Sequence, residues 1–298
     1  MTTTPVRRPL VARTRAELVA ALGETRARGG RVALVPTMGA LHAGHAALVD
    51  EARSRVDPDD AVVVSIFVNP LQFGPGEDLD RYPRTFEADL EVCREHGADV
   101  VFAPSVEEVY PGGDPQVTVE PGPLGNVLEG ATRPGHYRGV LTVVAKLFGL
   151  VRPDLGVFGQ KDYQQLVLIR RMAADLCMGV DVVGAATVRE ESGLALSSRN
   201  AYLSKEDRAA APALFEALSD AAAAVRAGER DADALRAAMA RTIGGTTPPA
   251  RVDYVAVVDA ETWAELRTIE GPALALAAAR FSSTRLIDNL ALPWGVLQ

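Results

Sequence analysis

Cysteine is scarce: the 298-residue chain has two, Cys93 and Cys177, far apart in sequence. A secreted disulfide framework needs more, and no CxxC spacing offers a metal clip. Both thiols are expected to be buried, in a reducing compartment. Long apolar runs are also missing. The longest, Ala273 to Ala279, falls far short of the ~18–20 residues of a membrane span. The first fifteen residues carry arginines and prolines but no apolar core, so no secretory signal is visible and the cytoplasm is the expected location. Positive charge is in the minority. Against 39 Asp and Glu stand 31 Lys and Arg, a net charge of −8. That balance excludes a partner held by a broad basic surface, so neither nucleic acid nor a membrane is expected. A small anionic ligand stays open, since a few well-placed cations suffice for it.

The hydrophobic fraction, 48%, is enough for a sizeable core without crosslinks. Residues 14–28 read as an amphipathic helix, with Thr14 and Glu17 at capping-box spacing and Gly29-Gly30 as its end. Short β-branched runs at 31–37, 61–68, 98–104, 155–159 and 180–188 read as buried strands. Helices are predicted between them, from about residue 43, at 85–96, 141–151 and 162–176. Alternation of this kind implies an α/β fold with a doubly wound, mostly parallel, Rossmann-like sheet. Beyond about residue 190 the texture changes. A long alanine-rich helix at 204–228, another at 231–243, and strands at 251–259 and 273–280 predict a smaller α+β C-terminal domain. The expected domains are 1–188 and 189–298. Glycine and proline concentrate in 69–83 and 111–139, long connections of the kind that carry function.

The most informative stretch is Val35-Pro-Thr-Met-Gly-Ala-Leu-His-Ala-Gly-His45, where the first buried strand turns into a helix. Ligands of open α/β sheets bind at such strand ends, and free N–H groups at a helix N-terminus favour phosphate. His42 and His45 sit three residues apart and can donate to a phosphate without placing a fixed charge in the pocket. Zinc would need a third protein ligand, and only two other histidines exist. A second strand end, Gly159-Gln-Lys-Asp-Tyr-Gln-Gln165, offers the Lys161 ammonium, Asp162 as a helix cap, and two amides. Leu196-Ser-Ser-Arg-Asn200 sets two hydroxyls beside a guanidinium, a set suited to triphosphate oxygens. Asn69 and Gln72 leave the second strand, and Arg133, His136 and Arg138 share one loop. These residues suit phosphate chemistry in a nucleotidyl-transferring enzyme. A nucleotidyltransferase acting on a phosphorylated acceptor and a non-catalytic ATP-responsive module both stay open.

Taken in order, VPTMGALHAGH, VVVSIFVNPLQFG, DRYPRTFEADL, FAPSVEEVYP, LEGATRPGHYRGV, GQKDYQQL, LALSSRNAYL and TRLIDN resemble the pantoate–β-alanine ligases, across nearly the whole chain. HxGH alone is shared by a large superfamily, whereas its combination with NPxQF and KDYQQ is far more specific. The resemblance implies an AMP-forming ligase that makes pantothenate from pantoate and β-alanine through pantoyl-adenylate, with Mg²⁺ accompanying ATP. It implies ATP contacts at Pro36, Thr37, Met38, Gly39, Ala40, Leu41, His42, Ala43, Gly44 and His45. Further contacts fall at Gly159, Gln160, Lys161, Asp162, Val188, Leu196, Ser197, Ser198 and Arg199. His42, His45 and Lys161 would be catalytic, and Gln72, Gln165, Asn69 and Tyr82 would bind pantoate and β-alanine. It also implies a homodimer and a small C-terminal domain acting as a lid. Gln160 departs from the glutamate of many relatives. The −8 charge separates the chain from aminoacyl-tRNA synthetases, which share HxGH but must bind a polyanion.

Overall fold

Six strands form one parallel sheet in the computed structural model, which describes residues 8–74 and 79–294. The chain divides into two compact units, Met1–Ala186 and Thr187–Gln298. The first runs β1 (Leu10–Ala12), α1 (Arg15–Ala27), β2 (Val32–Thr37), α2 (Ala43–Ser54), β3 (Ala61–Ile66), α3 (Phe86–Glu95), β4 (Val100–Phe102) and α4 (Val106–Val109). It continues with α5 (Glu129–Thr132), α6 (His136–Val151), β5 (Leu155–Gly159), α7 (Tyr163–Asp175) and β6 (Asp181–Ala185). The strand order is β1-β4-β3-β2-β5-β6. β2 and β3 are almost wholly buried, as strands covered by helices on both faces must be. Their pairing runs in register from Val32↔Ala61 to Thr37↔Ile66, so their carboxyl ends finish level. From β2 the chain winds to β3 and β4 on one side, and later to β5 and β6 on the other. The carboxyl ends of β2 and β5 therefore flank a topological switch point, where such sheets bind ligands.

The second unit holds α8 (Lys205–Ala210), α9 (Ala213–Arg226), α10 (Ala232–Gly244) and an antiparallel sheet of β7 (Arg251–Asp259), β8 (Ala273–Phe281) and β9 (Thr284–Leu292), in that order. Ala273, Ala275, Ala277, Ala279 and Phe281 alternate along β8 and join one core with Leu214, Leu218, Leu235 and Met239 of α9 and α10. Small residues on that face let the helices approach closely.

Several expectations need correcting. The predicted helix at 204–228 is two helices, because Pro212, which has no N–H to donate, interrupts the ladder between α8 and α9. α6 begins at His136 rather than 141, started by Gly135 at φ +81°. β6 ends at Ala185, leaving Val188 outside it. β1 and β9 are strands that the sequence pattern does not announce. Cys177 is exposed, not buried, whereas burial pushes the Cys93 thiol up to about 12. The Thr14–Glu17 capping box is present, and α1 gives way to Gly29 at φ +75°. No helix among the described residues is long and apolar enough to cross a membrane.

Candidate active site

Thr37 closes β2. Its hydroxyl donates to the Ser65 carbonyl at 2.7 Å and accepts the Gly39 N–H at 3.3 Å, which turns the chain out of the sheet. Gly39 and then Ala40 adopt left-handed backbone, at φ +85° and +50°. For Ala40 that geometry is unfavourable by about 1–2 kcal/mol. Asp89 of α3, buried beneath the turn, holds it there. Its oxygens accept from the N–H of Ala40 (3.1 Å), the N–H of Leu41 (2.8 Å) and the Thr85 hydroxyl (3.0 Å).

Most of the backbone N–H groups expected to be free at the start of α2 are in use. His42 stands at the N-cap in extended backbone, and its Nδ1 accepts the Gly44 N–H at 3.1 Å. His45 Nδ1 faces the His42 N–H at 3.4 Å. Because each Nδ1 accepts, the proton of each neutral ring belongs on Nε2, an assignment from the hydrogen-bond network. The two half-buried rings lie 4.2 Å apart, centroid to centroid. Burial pulls His45 down to about 3, aided by nearby His42 and Lys161 and opposed by Asp162. His42 is lowered too, by burial first and Lys161 second. Both imidazoles are therefore neutral donors at physiological pH.

β2 and β5 are paired neighbours in the sheet, so their carboxyl ends lie side by side. Gln160–Asp162 form a short 3₁₀ turn after β5, and Lys161 Nζ lies 3.7 Å from the Asp162 carboxylate. Asp162 occupies the N-cap position of α7 but makes no side-chain cap bond there, contrary to expectation. Gln160 donates its amide to the Gly184 carbonyl of β6 at 3.2 Å, a bond a glutamate could not make.

β3 delivers the amides. Asn69 caps the 3₁₀ turn Pro70–Gln72 and is buried. Its amide nitrogen donates to Gln72 Oε1 (3.2 Å) and the Gly139 carbonyl (3.1 Å), and its oxygen accepts from Tyr110 (2.9 Å). Asn69 therefore orients Gln72, with both amide hydrogens engaged inside the protein. Gln72 in turn donates to Met38 Sδ at 3.0 Å, joining the ends of β3 and β2. His136 accepts from Arg133 at 3.0 Å and donates to the Gln72 carbonyl at 2.9 Å. Arg138 lies 4.0 Å from Glu120 instead. Tyr82 is buried edge-on to Phe73. In α7, Gln164 is buried and donates to the Leu124 and Val127 carbonyls, whereas its neighbour Gln165 is half-buried and makes no hydrogen bond to a described residue.

Val188, Leu196, Ser197, Ser198 and Arg199 belong to the second unit. The Leu196 N–H donates to the Val188 carbonyl at 2.9 Å, so these two segments are adjacent. Ser197 caps the 3₁₀ turn Ser198–Tyr202 by accepting the Arg199 N–H. Sequence reasoning misses Asp89 and Gly139, and it offers Gln164 to a polar substrate although that amide donates to the Leu124 and Val127 carbonyls. The first two lie within the DRYPRTFEADL and GHYRGV segments, but their partners are distant in sequence.

A family model described as pantoate-beta-alanine ligase matches residues 10–291. A curated relative named pantothenate synthetase, from Nocardioides sp., is 61% identical over 293 residues, covering 96% of this chain and 86% of its own. The crystal structure of pantothenate synthetase from Thermus thermophilus superposes with a TM-score of 0.87 at 50% identity, covering 94% of this chain and 98% of that one. A pantoate-beta-alanine ligase from Francisella tularensis, complexed with beta-gamma ATP and beta-alanine, gives 0.76 at 31% identity, over 96% and 99% of the two chains. The chain belongs to the pantoate-beta-alanine ligase family and is a ligase.

Proposed function

We propose that this ligase makes pantothenate in two steps at the switch-point site. In the first, a pantoate carboxylate oxygen attacks the α-phosphorus of ATP. The bond to the bridging oxygen breaks, and pyrophosphate leaves from pantoyl-adenylate. In the second, the β-alanine amine attacks the activated carbonyl, AMP leaves, and the amine gives up a proton. The observation that carries this reading is the pair of neutral imidazoles whose Nδ1 atoms are occupied, leaving two Nε2–H donors for phosphoryl oxygens. Donors aimed at developing charge are the main resource of such a reaction. Lys161 meets the phosphates and Asp162 moderates its charge. Gln72 and Gln165 hold pantoate, with Asn69 fixing Gln72 and Tyr82 near the β-alanine entry. Pro36 to His45, Gly159 to Asp162, Val188 and Leu196 to Arg199 are the residues this reading assigns to the nucleotide.

Mg²⁺ fits as an ion carried by ATP. Among the described residues no group of three or more His, Cys, Asp or Glu could hold a metal. A hard cation bound mainly by phosphates and water needs only a carboxylate such as Asp162. When bound it would neutralise phosphate charge. The family resemblance further supports a cytoplasmic homodimer in which residues 1–188 bind ATP and pantoate and 189–298 act as the lid.

The test is incubation with ATP, Mg²⁺, pantoate and β-alanine, each omitted in turn, with mass analysis of products. Pyrophosphate release that needs pantoate but not β-alanine, and pantothenate with AMP when all are present, are expected. A product that retains the nucleotide, or no turnover with any acid, would overturn the reading.

A further inference from the structure

In the second unit, residues 188–196 form a small hairpin. Arg189 bridges Ala195, the Glu190 N–H donates to Leu194, and the Gly193 N–H closes the turn onto Glu190. Two ion pairs tie this hairpin to the rest of the unit: a part-exposed one from Glu190 to Arg208 of α8 at 2.7 Å, and a buried, two-pronged one from Arg189. The Arg189 guanidinium meets both carboxylate oxygens of Asp288, on β9, at 2.5 and 2.9 Å, and donates a third bond to the Gly193 carbonyl at 3.1 Å. The Asp288 side chain is only 2% exposed. The guanidinium also lies 3.9 Å above the ring of Phe215, from α9. Gly193 is at φ +89°, and a Cβ there would meet Phe215 at 2.6 Å, so the hairpin tip fits only against this stack. Asn200 then donates to the Ala195 carbonyl at 3.0 Å and fastens the following turn to the hairpin.

A buried pair of this kind is poor evidence for stability, because desolvation offsets most of the attraction. What a bidentate fork adds is a single orientation. The hairpin ends are Val188 and Leu196, paired with each other, and Ser197–Arg199 follow directly. We infer that Arg189 and Asp288 are positioning residues for the nucleotide. Their ion pair holds the 188–196 hairpin in the one arrangement in which Val188 and Ser197–Arg199 can meet ATP. The order of this short turn thus depends on residues 99 positions apart in sequence, and Asp288 gains a task within the TRLIDN segment. The inference rests on the reading of Val188 and Leu196–Arg199 as ATP contacts.

The experiment measures KM for ATP and for pantoate by pyrophosphate release, on the full chain, with thermal unfolding followed in parallel. Asp288→Asn breaks the fork. The pair Arg189→Met with Asp288→Leu replaces it by apolar volume and leaves no unpaired buried charge. Phe215→Leu loosens only the stack. Arg199→Ala probes the underlying reading. Expected is a rise of about tenfold in KM for ATP in the first two and about threefold in Phe215→Leu, with KM for pantoate within about twofold. A folded Asp288→Asn or apolar double variant with unchanged KM for ATP, while Arg199→Ala raises it, overturns the positioning role alone. If neither of these folds, an unchanged KM in Phe215→Leu does the same. Unchanged KM for ATP in Arg199→Ala overturns the nucleotide reading, and the inference with it.

Discussion

Asp89 accepts the backbone N–H of Leu41 at 2.8 Å, and through that bond α3 holds the turn that presents His42 and His45. The second oxygen accepts from Ala40, a residue in left-handed backbone. Asp89→Asn replaces one acceptor by an NH₂ group facing an N–H. One buried donor is then unsatisfied, at a cost of about 1–3 kcal/mol. Urea unfolding of the variant should show that loss, together with slower pyrophosphate release. A variant as stable and as active as the parent would deny Asp89 this role.

The depressed His45 makes a pH prediction. Its folded value, about 3, lies below the ordinary value of 6.5, so the unfolded chain binds the proton more readily. The stability that depends on neutral His45 is fully present above pH 6.5 and declines as pH falls toward 3. By a pH of about 4.5 the loss amounts to roughly 2–3 kcal/mol. Urea unfolding at about pH 4.5 and about pH 7.5 should show a steeper acid loss in the parent than in His45→Gln. Equal losses in the two proteins would contradict the buried, neutral ring.

His45→Ala removes one of the two Nε2–H donors and also uncaps the His42 N–H. Loss of one donor to a charged transition state lowers rates on the order of 10²–10³-fold. Pyrophosphate release with pantoate should fall by that factor while ATP binding, measured by calorimetry, changes little. Near-parental release would leave the ring without a catalytic part.

What can be read directly from the chain is whatever physics writes locally. β2, β3 and β5 are runs of buried apolar residues, and α1 carries its own capping box. β1 escapes because it is three residues long, at a sheet edge, between Pro9 and Arg13. β9 escapes because Arg285, Asp288 and Asn289 break its apolar pattern, although Asp288 and Asn289 are buried. The histidine turn is legible as a place for anion chemistry, but not the means. Most of its N–H groups are consumed by Asp89 and by the imidazoles themselves, partners that only the folded chain identifies. Likewise nothing in Gln164-Gln165 says which amide is buried. The packing of α7 decides that, turning Gln164 toward the Leu124 and Val127 carbonyls.

The amide site allows a sharper separation of roles. Gly139 of α6 packs so tightly on the Pro70–Gln72 turn that a Cβ would lie 2.2 Å from the Leu71 carbonyl oxygen and 2.7 Å from Gln72 Cα. Gly139→Ala must push that turn away, and with it the amide that reaches Met38. Overpacking of this kind is destabilising by about 1–3 kcal/mol. Gln72→Ala, by contrast, removes the amide and leaves the backbone in place. On the proposed roles, both raise KM for pantoate and spare ATP binding, but only Gly139→Ala lowers the melting temperature substantially. Measuring pantoate-dependent pyrophosphate release beside calorimetric ATP binding separates the cases. Loss of ATP binding in Gln72→Ala would place Gln72 in the nucleotide site instead of the pantoate site. An unchanged melting temperature in Gly139→Ala would show that the turn yields without resistance, and that the α6 contact does not set its position.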